Sequence, residues 1–279
     1  MLDKAEDSSL LLIRDLVEQS TGLYFQPATL SIFGDHIENR MHALRLESAL
    51  DYLYFLKWDP QKGQEWRRLI SLLTVNETSF WREADAVQLC TGKLLRRMSD
   101  NRRFRPLRVW HAACSTGEEP YSLAMSALRE GWKPGLDLEI LASDIDTRVI
   151  SGARMARYGS RALRNLPEDM REQYVLESGD GYHQLTEELR DSVRFFTFNL
   201  IDNEAGLAPT GCDIIFCRNV LIYFRDETIK KVAELFWRSL VPGGFLILGA
   251  SESLLRFKTR FTFHHEDGVI AYRKQEQSE

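Results

Sequence analysis

Residues 108–125 contain the side chains with the clearest potential for chemistry, in the order Arg-Val-Trp-His-Ala-Ala-Cys-Ser-Thr-Gly-Glu-Glu-Pro-Tyr-Ser-Leu-Ala-Met. Residues 108–112 have the apolar, β-branched and aromatic character of a short buried strand, and the residues from Cys114 to Gly117 are small. Pro120 is tolerated in the first turn of a helix. A strand, a tight loop and a helix N-terminus form a ligand site in doubly wound α/β folds, so we expect one here.

The acids of this region indicate which ligand binds. A dinucleotide pyrophosphate requires Gly-x-Gly-x-x-Gly without nearby carboxylates, whereas Gly117 is followed by Glu118 and Glu119. The next predicted strand, residues 138–143, ends at Asp144, where a carboxylate can accept two hydrogen bonds from a ribose diol. Together these features indicate S-adenosylmethionine (SAM). For either glutamate alone, the alternative is that carboxylates simply favour a helix N-terminus.

Three longer segments resemble the CheR family of chemotaxis receptor methyltransferases. They are Ala-Cys-Ser-Thr-Gly-Glu-Glu-Pro-Tyr-Ser at 113–122, Ala-Ser-Asp-Ile-Asp-Thr at 142–147 and Phe-Cys-Arg-Asn-Val-Leu-Ile-Tyr-Phe at 216–224. The resemblance covers nearly the whole chain and is weakest before about residue 76. It implies methyl transfer from SAM to glutamate carboxylates of chemoreceptors, which forms methyl esters for sensory adaptation.

Residues 76–83, Asn-Glu-Thr-Ser-Phe-Trp-Arg-Glu, form a second candidate segment. Taken alone they fit a capped helix start. The resemblance instead implies that Asn76, Thr78 and Arg82 line the SAM and substrate pocket, because they match the family motif Asn-x-Thr-x-Phe-x-Arg. Arg82 would orient the incoming carboxylate by a paired hydrogen bond.

Further polar residues directly follow predicted strands. Asn199 follows residues 193–198, and Arg218 and Asn219 follow residues 213–217, with Tyr223 close behind. Because the carboxyl ends of parallel strands share one edge, these side chains can face the crevice of Asp144. The alternative is that Asn219 caps a helix and Tyr223 belongs to the core.

With the residues that the resemblance adds, the expected site contains no metal ligand. The catalytic residues are Arg82 and Tyr223, and the cofactor-binding residues are Asn76, Thr78, Arg82, Gly117, Glu119, Asp144, Asn199, Leu200, Arg218 and Asn219.

Two domains position this site. Apolar residues at three- and four-residue steps predict an all-helical domain over 1–75, with helices at 8–21, 28–46, 48–57 and 64–74. Residues 76–279 alternate strands and helices, as in the doubly wound sheet of a Rossmann-like SAM-dependent methyltransferase. Residues 157–194 lose this rhythm and predict an inserted β-subdomain, and residues 261–272 predict a closing hairpin.

The resemblance also bears on the partner, the cytoplasmic helical region of a chemoreceptor. Basic residues of the second helix meet the receptor in the family, and Arg40 and Arg45 are the candidates here. The β-subdomain of some members binds a receptor's C-terminal pentapeptide. The turn at 178–182 looks shorter than in those members, so we expect independence from the pentapeptide.

Composition excludes several other classes. The net charge of −5 and pI of about 5.8 argue against nucleic-acid binding. No apolar run approaches the ~20 residues of a membrane span, and the acidic start is unlike a signal peptide, so we expect a cytoplasmic protein. We also expect a monomer. The spacing of Cys90, Cys114, Cys212 and Cys217 favours buried thiols over disulfides or a metal site.

Residues 93–108 contain seven cations against the single acid Asp100. They form either a solvated helix end and linker or a surface that attracts an acidic protein.

Two alternative functions share part of this pattern. A SAM-dependent enzyme acting on a small molecule or RNA would not need the segment from Asn76 to Arg82 or a helical front domain. A non-catalytic SAM-sensing module would not need Arg82 and Tyr223, and a turnover assay separates it from an enzyme.

Overall fold

The structure, a computed structural model, describes residues 8–100, 105–202 and 208–275. The predicted helical domain comes first, and its apolar faces meet in a core of Ile13, Val17, Phe33, Ile37 and Leu69. Its second helix begins after a 3-10 turn at Pro27–Thr29, slightly later than predicted. Its helices are α1 (Ser8–Thr21), α2 (Leu30–Leu44), α3 (Ala49–Trp58) and α4 (Lys62–Leu73).

The second part of the chain alternates strands and helices as predicted. Its helices are α5 (Ala84–Leu89), which continues through a π-helical turn into α6 (Leu95–Asp100), then α7 (Glu118–Arg129), α8 (Thr147–Met155), α9 (Glu168–Tyr174), α10 (Glu187–Asp191) and α11 (Asp226–Ser239). Its strands are β1 (Leu107–Ala112), β2 (Leu138–Asp144), β3 (Arg157–Gly159), β4 (Val175–Glu177), β5 (Tyr182–Leu185), β6 (Val193–Thr197), β7 (Cys212–Cys217), β8 (Leu240–Leu248), β9 (Thr262–Glu266) and β10 (Val269–Arg273).

Seven of the described strands form one sheet in the order β6-β2-β1-β7-β8-β10-β9. The first five are parallel, β10 pairs antiparallel with β8, and β9 pairs antiparallel with β10. After β1 the chain builds outward to one side and then returns to β7 on the other side, so the strand order reverses between β1 and β7. Such a switch point is where open α/β sheets bind ligands, and it confirms the predicted doubly wound fold.

A separate three-stranded antiparallel sheet, β3-β5-β4, lies within the range predicted for the inserted β-subdomain. Helices cover both faces of the main sheet, and Trp110, Phe216, Phe236 and Phe245 are fully buried. All four cysteines are buried free thiols, as predicted. In the described ranges no group of three metal-ligating side chains is present, and no helix is long and apolar enough to cross a membrane.

The helical domain packs on the edge of the sheet where the parallel strands end. The Ser71 hydroxyl donates to Asp146 Oδ1 at 2.6 Å, and the Asn199 amide donates to the Ser20 carbonyl at 2.8 Å. The Tyr24 N–H donates to the Tyr223 carbonyl at 2.9 Å. The helical domain therefore forms part of the wall above the sheet edge.

Arg40 does not have the free guanidinium expected of a receptor contact. Its Nε and Nη2 donate to the two carboxylate oxygens of Glu65 at 2.8 and 2.7 Å, and the Tyr52 hydroxyl donates to the same carboxylate at 2.7 Å. Glu65 is buried, so this pairing compensates a charge inside the helical domain. Of the two candidates, Arg45 alone is exposed, at the end of α2.

The cations of residues 93–108 also have partners in this chain. Arg102 and Arg103 lie outside the described residues. The solvated linker is therefore the better interpretation, and the hypothesis of an open basic surface is not supported. The pairs are Lys93 with Asp267, Arg96 with Glu130, Arg97 with Glu266, Arg105 with Asp213 and Arg108 with Glu139.

Candidate active site

A cavity lies where β1, β2, β6 and β7 end, with its far wall formed by the helical domain. From the helical side, Thr21, Leu23, Thr74 and Val75 line it. The predicted site residues that line the cavity are Asn76, Thr78, Arg82, Glu119, Asp144, Asn199, Leu200, Arg218, Asn219 and Tyr223.

The loop after β1 holds Asp144 in place. Ala113, Ser115 and Gly117 have φ of 64°, 50° and 94°, and this unusual backbone turns the Ser115 N–H toward Asp144 Oδ2, at 2.9 Å. The Asp146 N–H donates to Asp144 Oδ1 at 3.0 Å. Burial raises the pKa of Asp144, although these N–H groups favour its ionised form. Each oxygen keeps further acceptor capacity for a ligand hydroxyl.

Gly117 is the one predicted cofactor residue that does not line the cavity. A Cβ built on it would lie 2.9 Å from the Ala153 Cβ and 3.1 Å from the Phe195 ring. The glycine therefore serves the close packing of α7 against α8 and β6 and the left-handed turn into α7. Its contribution to binding is indirect, since the turn places Glu119.

Glu119 belongs to a buried charged cluster. Its Oε1 lies 2.8 Å from His111 Nδ1, and its Oε2 accepts a hydrogen bond from Arg218 Nη1 at 2.8 Å. Burial alone would raise the pKa of Glu119, but Arg218 and His111 outweigh it and hold that pKa below its usual value. Arg218 Nη2 also pairs with Glu83 Oε2 at 2.8 Å.

Arg82 lies on a strained segment beside this cluster. Trp81 and Glu83, its neighbours, have φ of 59° and 49°. The Arg82 carbonyl accepts a hydrogen bond from Arg218 Nη2 at 3.1 Å, and its own Nη1 donates to the Glu77 carbonyl at 3.1 Å. Arg82 is exposed, and among the described residues no carboxylate pairs with it. The cavity thus combines one neutralised guanidinium, Arg218, with one that has no anionic partner.

The turn after β7 carries Asn219 and Tyr223 and depends on a residue that sequence reasoning missed. The Glu252 carboxylate accepts four backbone N–H groups, from Asn219, Gly249, Val220 and Leu221, at 2.7, 2.8, 2.9 and 2.7 Å. The rule that polar residues after a parallel strand face the crevice, applied to β8, would have identified Glu252.

Asn219 and Tyr223 both lie at the cavity. Asn219 has φ of 61° and precedes a 3-10 turn at Leu221–Tyr223, whereas α11 is capped by Arg225, so Asn219 does not cap that helix. Tyr223 packs partly against the core of the helical domain while lining the cavity. The alternative from the sequence is therefore wrong for Asn219, and for Tyr223 it describes only part of the surroundings.

The cavity fits SAM in the chemistry of its side chains. Asp144 presents oriented carboxylate oxygens for a ribose diol, and Glu119 and Arg218 provide both signs of charge for an amino acid group. The Nε of Arg218 is buried without a partner among the described residues, which is uncommon for a buried donor and consistent with a role in binding a ligand. A doubly wound sheet with these residues at its switch point defines the class of SAM-dependent methyltransferases.

Comparison with known proteins agrees with this class. Residues 76–270 match the SAM binding domain of CheR methyltransferase, and residues 8–74 match the all-alpha domain of CheR methyltransferase. The chain belongs to the CheR methyltransferase family, and its cofactor is SAM.

The relatives share most of their length with this chain. It is 36% identical over 258 residues to chemotaxis protein methyltransferase 2 of Vibrio cholerae serotype O1, covering 91% of this chain and 88% of the relative. It is 35% identical over 261 residues to the chemotaxis protein methyltransferase of Escherichia coli K12, with coverage of 92% and 88%. Chemotaxis protein methyltransferase 2 of Pseudomonas aeruginosa is 32% identical over 246 residues, with coverage of 87% and 85%.

Proposed function

We propose that this protein transfers the methyl group of SAM to glutamate side chains of a chemoreceptor and forms glutamate methyl esters. The observation that carries the proposal is Arg82, an exposed guanidinium at the cavity without a carboxylate partner in the described part of the chain. A guanidinium in this setting can hold a carboxylate through two parallel hydrogen bonds. The names of the relatives support chemotaxis as the setting.

The residues of the cavity suit a carboxylate nucleophile. Bound SAM supplies an electrophilic methyl group on a sulfonium. A glutamate carboxylate is ionised at pH 7, so no general base is required, and the protein contributes positioning and electrostatics. Arg82 orients the carboxylate, and Tyr223 shapes the space in which the two groups meet.

The remaining cavity residues hold the cofactor in this proposal. Asp144 binds the ribose hydroxyls, and Glu119 and Arg218 bind the amino acid group. Asn76, Thr78, Asn199, Leu200 and Asn219 complete the pocket around them. Glu119 also fixes Arg218, which in turn supports the Arg82 carbonyl, so the cofactor and substrate positions share one charged cluster.

The chemical type of the bond between the transferred methyl group and the receptor provides the test. With labelled SAM and the chemoreceptors of the same organism, the transferred label is expected to leave as volatile methanol after brief alkaline treatment. Replacing the target glutamates with alanine is expected to abolish labelling. Alkali-stable label on the receptor would show a nitrogen or sulfur nucleophile and overturn the proposal even with SAM bound.

Arg82→Ala tests the assigned role in the same assay. Loss of two charge-assisted hydrogen bonds, together worth ~3 kcal/mol, lowers kcat/KM by about 100-fold. The fold should persist, because an exposed side chain leaves no core cavity. Arg82→Lys keeps the charge without the paired donors and is expected to recover only part of the activity. Normal turnover in Arg82→Ala would leave Arg82 with no role in transfer.

A further inference from the structure

A second groove adjoins the candidate active site. Asn76, Glu77 and Thr78 line both the groove and the SAM cavity, so the two spaces share this segment as a wall. The opposite side of the groove is formed by the turn after β3, through Gly159, Arg161, Ala162 and Arg164. A substrate segment that reaches the cavity past this wall can extend along the groove.

Hydrogen bonds attach the two walls to each other. The Phe80 N–H donates to the Ala162 carbonyl at 2.9 Å, and the Asn165 amide donates to the Ser79 hydroxyl at 3.4 Å. Phe80 is two residues before Arg82 in the chain. The turn that carries Arg161 and Arg164 is therefore fixed relative to Arg82.

The groove has an excess of positive charge. The Arg161 side chain is 83% exposed and its Nη2 lies 3.0 Å from Oε1 of Glu77, which is itself 67% exposed. Such an exposed ion pair contributes little, so Arg161 can exchange Glu77 for another carboxylate at small cost. Arg164 Nη1 donates to the Arg161 carbonyl at 3.0 Å, and within the described ranges no carboxylate pairs with Arg164. Among the described residues, the lining of the groove thus has two guanidinium groups and one carboxylate, and Arg82 lies in the adjoining cavity.

We infer that this groove binds carboxylates that flank the target glutamate on the substrate helix, with Arg161 and Arg164 selecting an acidic segment. The inference rests on the proposed function and adds a substrate preference to it. The whole chain has a net charge of −5, which opposes the approach of an acidic partner, so local cations at the entrance are needed to offset the repulsion.

The spacing of the arginines limits which acids are selected. Glu77 bridges two of them, since its carbonyl accepts from Arg82 at 3.1 Å and its carboxylate meets Arg161 at 3.0 Å. Both guanidinium groups thus lie within hydrogen-bonding distance of one glutamate, so we expect the two carboxylates that they bind to be separated by about one or two helical turns, roughly 5–11 Å. The selected acids therefore lie one or two turns from the target glutamate, on the same helix face.

Charge reversal tests the inference. The double variant Arg161→Glu with Arg164→Glu is assayed on the cytoplasmic fragment of a chemoreceptor from the same organism. The matched control is Arg238→Glu with Arg256→Glu, since both arginines are exposed, have acidic partners and line neither space. The groove variant is expected to lose about tenfold or more in kcat/KM, mainly through KM, and the loss shrinks at high salt.

Two further measurements separate substrate binding from other effects. SAM affinity by calorimetry is expected to match the wild type, because neither residue lines the SAM cavity. A receptor fragment with the flanking acids changed to glutamine should be a poorer substrate for the wild type, while the double variant should no longer distinguish it from the unmodified fragment. If charge reversal disturbs folding, Arg161→Ala with Arg164→Ala provides the same comparison.

The outcomes distinguish the two levels of the proposal. A wild-type enzyme that esterifies the receptor, with a groove variant of equal kcat/KM, overturns the groove inference and leaves the proposed function standing. A groove variant whose kcat/KM falls no further than that of the matched control also overturns the groove inference and leaves the proposed function standing. Absence of transfer by the wild-type enzyme to any receptor fragment removes the proposed function and the groove inference with it.

Discussion

Replacing Glu252 with glutamine tests how the turn after β7 is held. The change keeps the size of the side chain but replaces one carboxylate oxygen with an NH₂ group. In the wild type, each carboxylate oxygen of Glu252 accepts two backbone N–H groups. Those of Asn219 and Gly249 donate to Oε2, and those of Val220 and Leu221 donate to Oε1. In the variant, two of these N–H groups face a donor instead of an acceptor.

The expected loss follows from those two N–H groups. A buried donor without an acceptor costs about 1–3 kcal/mol, so the free energy of unfolding is expected to fall by about 2–6 kcal/mol. The lower end applies if the turn relaxes toward water. Glu252 is only 7% exposed, so little solvent is available to replace the carboxylate without such a movement. A moved turn displaces Asn219 and Tyr223, and SAM affinity is then expected to fall by at least about tenfold.

Chemical denaturation and calorimetry measure these two effects. SAM binding is measured well below the melting temperature of the variant, so that a loss of affinity reports the turn and not global unfolding. The matched control is Glu234→Gln on α11, whose carboxylate is half-exposed and meets arginine side chains, with an expected change within about 0.5 kcal/mol. If Glu252→Gln behaves like this control in both assays, the four hydrogen bonds do not hold the turn.

Gly249→Ala should also disturb this turn, because the new Cβ would lie 2.8 Å from the carboxylate that holds it, and SAM affinity should fall in calorimetry. Gly92→Ala should bind normally, because beyond its own helix no described atom lies within 4 Å of the new Cβ. Burial raises the pKa of Asp144, so SAM affinity should be full above that pKa and decline as pH falls through it, at a higher pH than for an ordinary aspartate. Asp144→Asn should bind SAM weakly and without this pH dependence. Parallel pH profiles of SAM affinity for the wild type and Asp144→Asn would contradict the assignment. Arg40→Ala removes the ion-pair partner of the buried Glu65 carboxylate and should lower the free energy of unfolding by about 3 kcal/mol in urea denaturation. The control Arg45→Ala should change it little. A peptide with the receptor tail pentapeptide should show no measurable binding in calorimetry, and micromolar binding would refute the expected independence.

Local sequence determined the elements and most of the candidate site. Periodic apolar residues predict α1 to α4 because each helix must bury one face, and continuous apolar runs predict β1 and β7 because both faces of a parallel sheet are covered. The rule that parallel strands end at one edge then brought Asp144, Asn199 and Arg218 to one crevice from positions far apart in the chain. The small-residue loop was predicted to form part of a ligand site, and Ala113, Cys114 and Ser115 line the cavity, although Gly117 itself serves packing.

Only the tertiary structure decided which charges are paired, because the partner of a side chain is set by packing between distant segments. Arg40 meets Glu65 across the helical domain, while Arg45 on the same helix stays exposed. Lys93 meets Asp267, a residue 174 positions away. The sequence by itself thus determined which residues gather at the sheet edge. The folded chain decided which of them remain available for a ligand, since a buried charge must be compensated and an exposed one need not be.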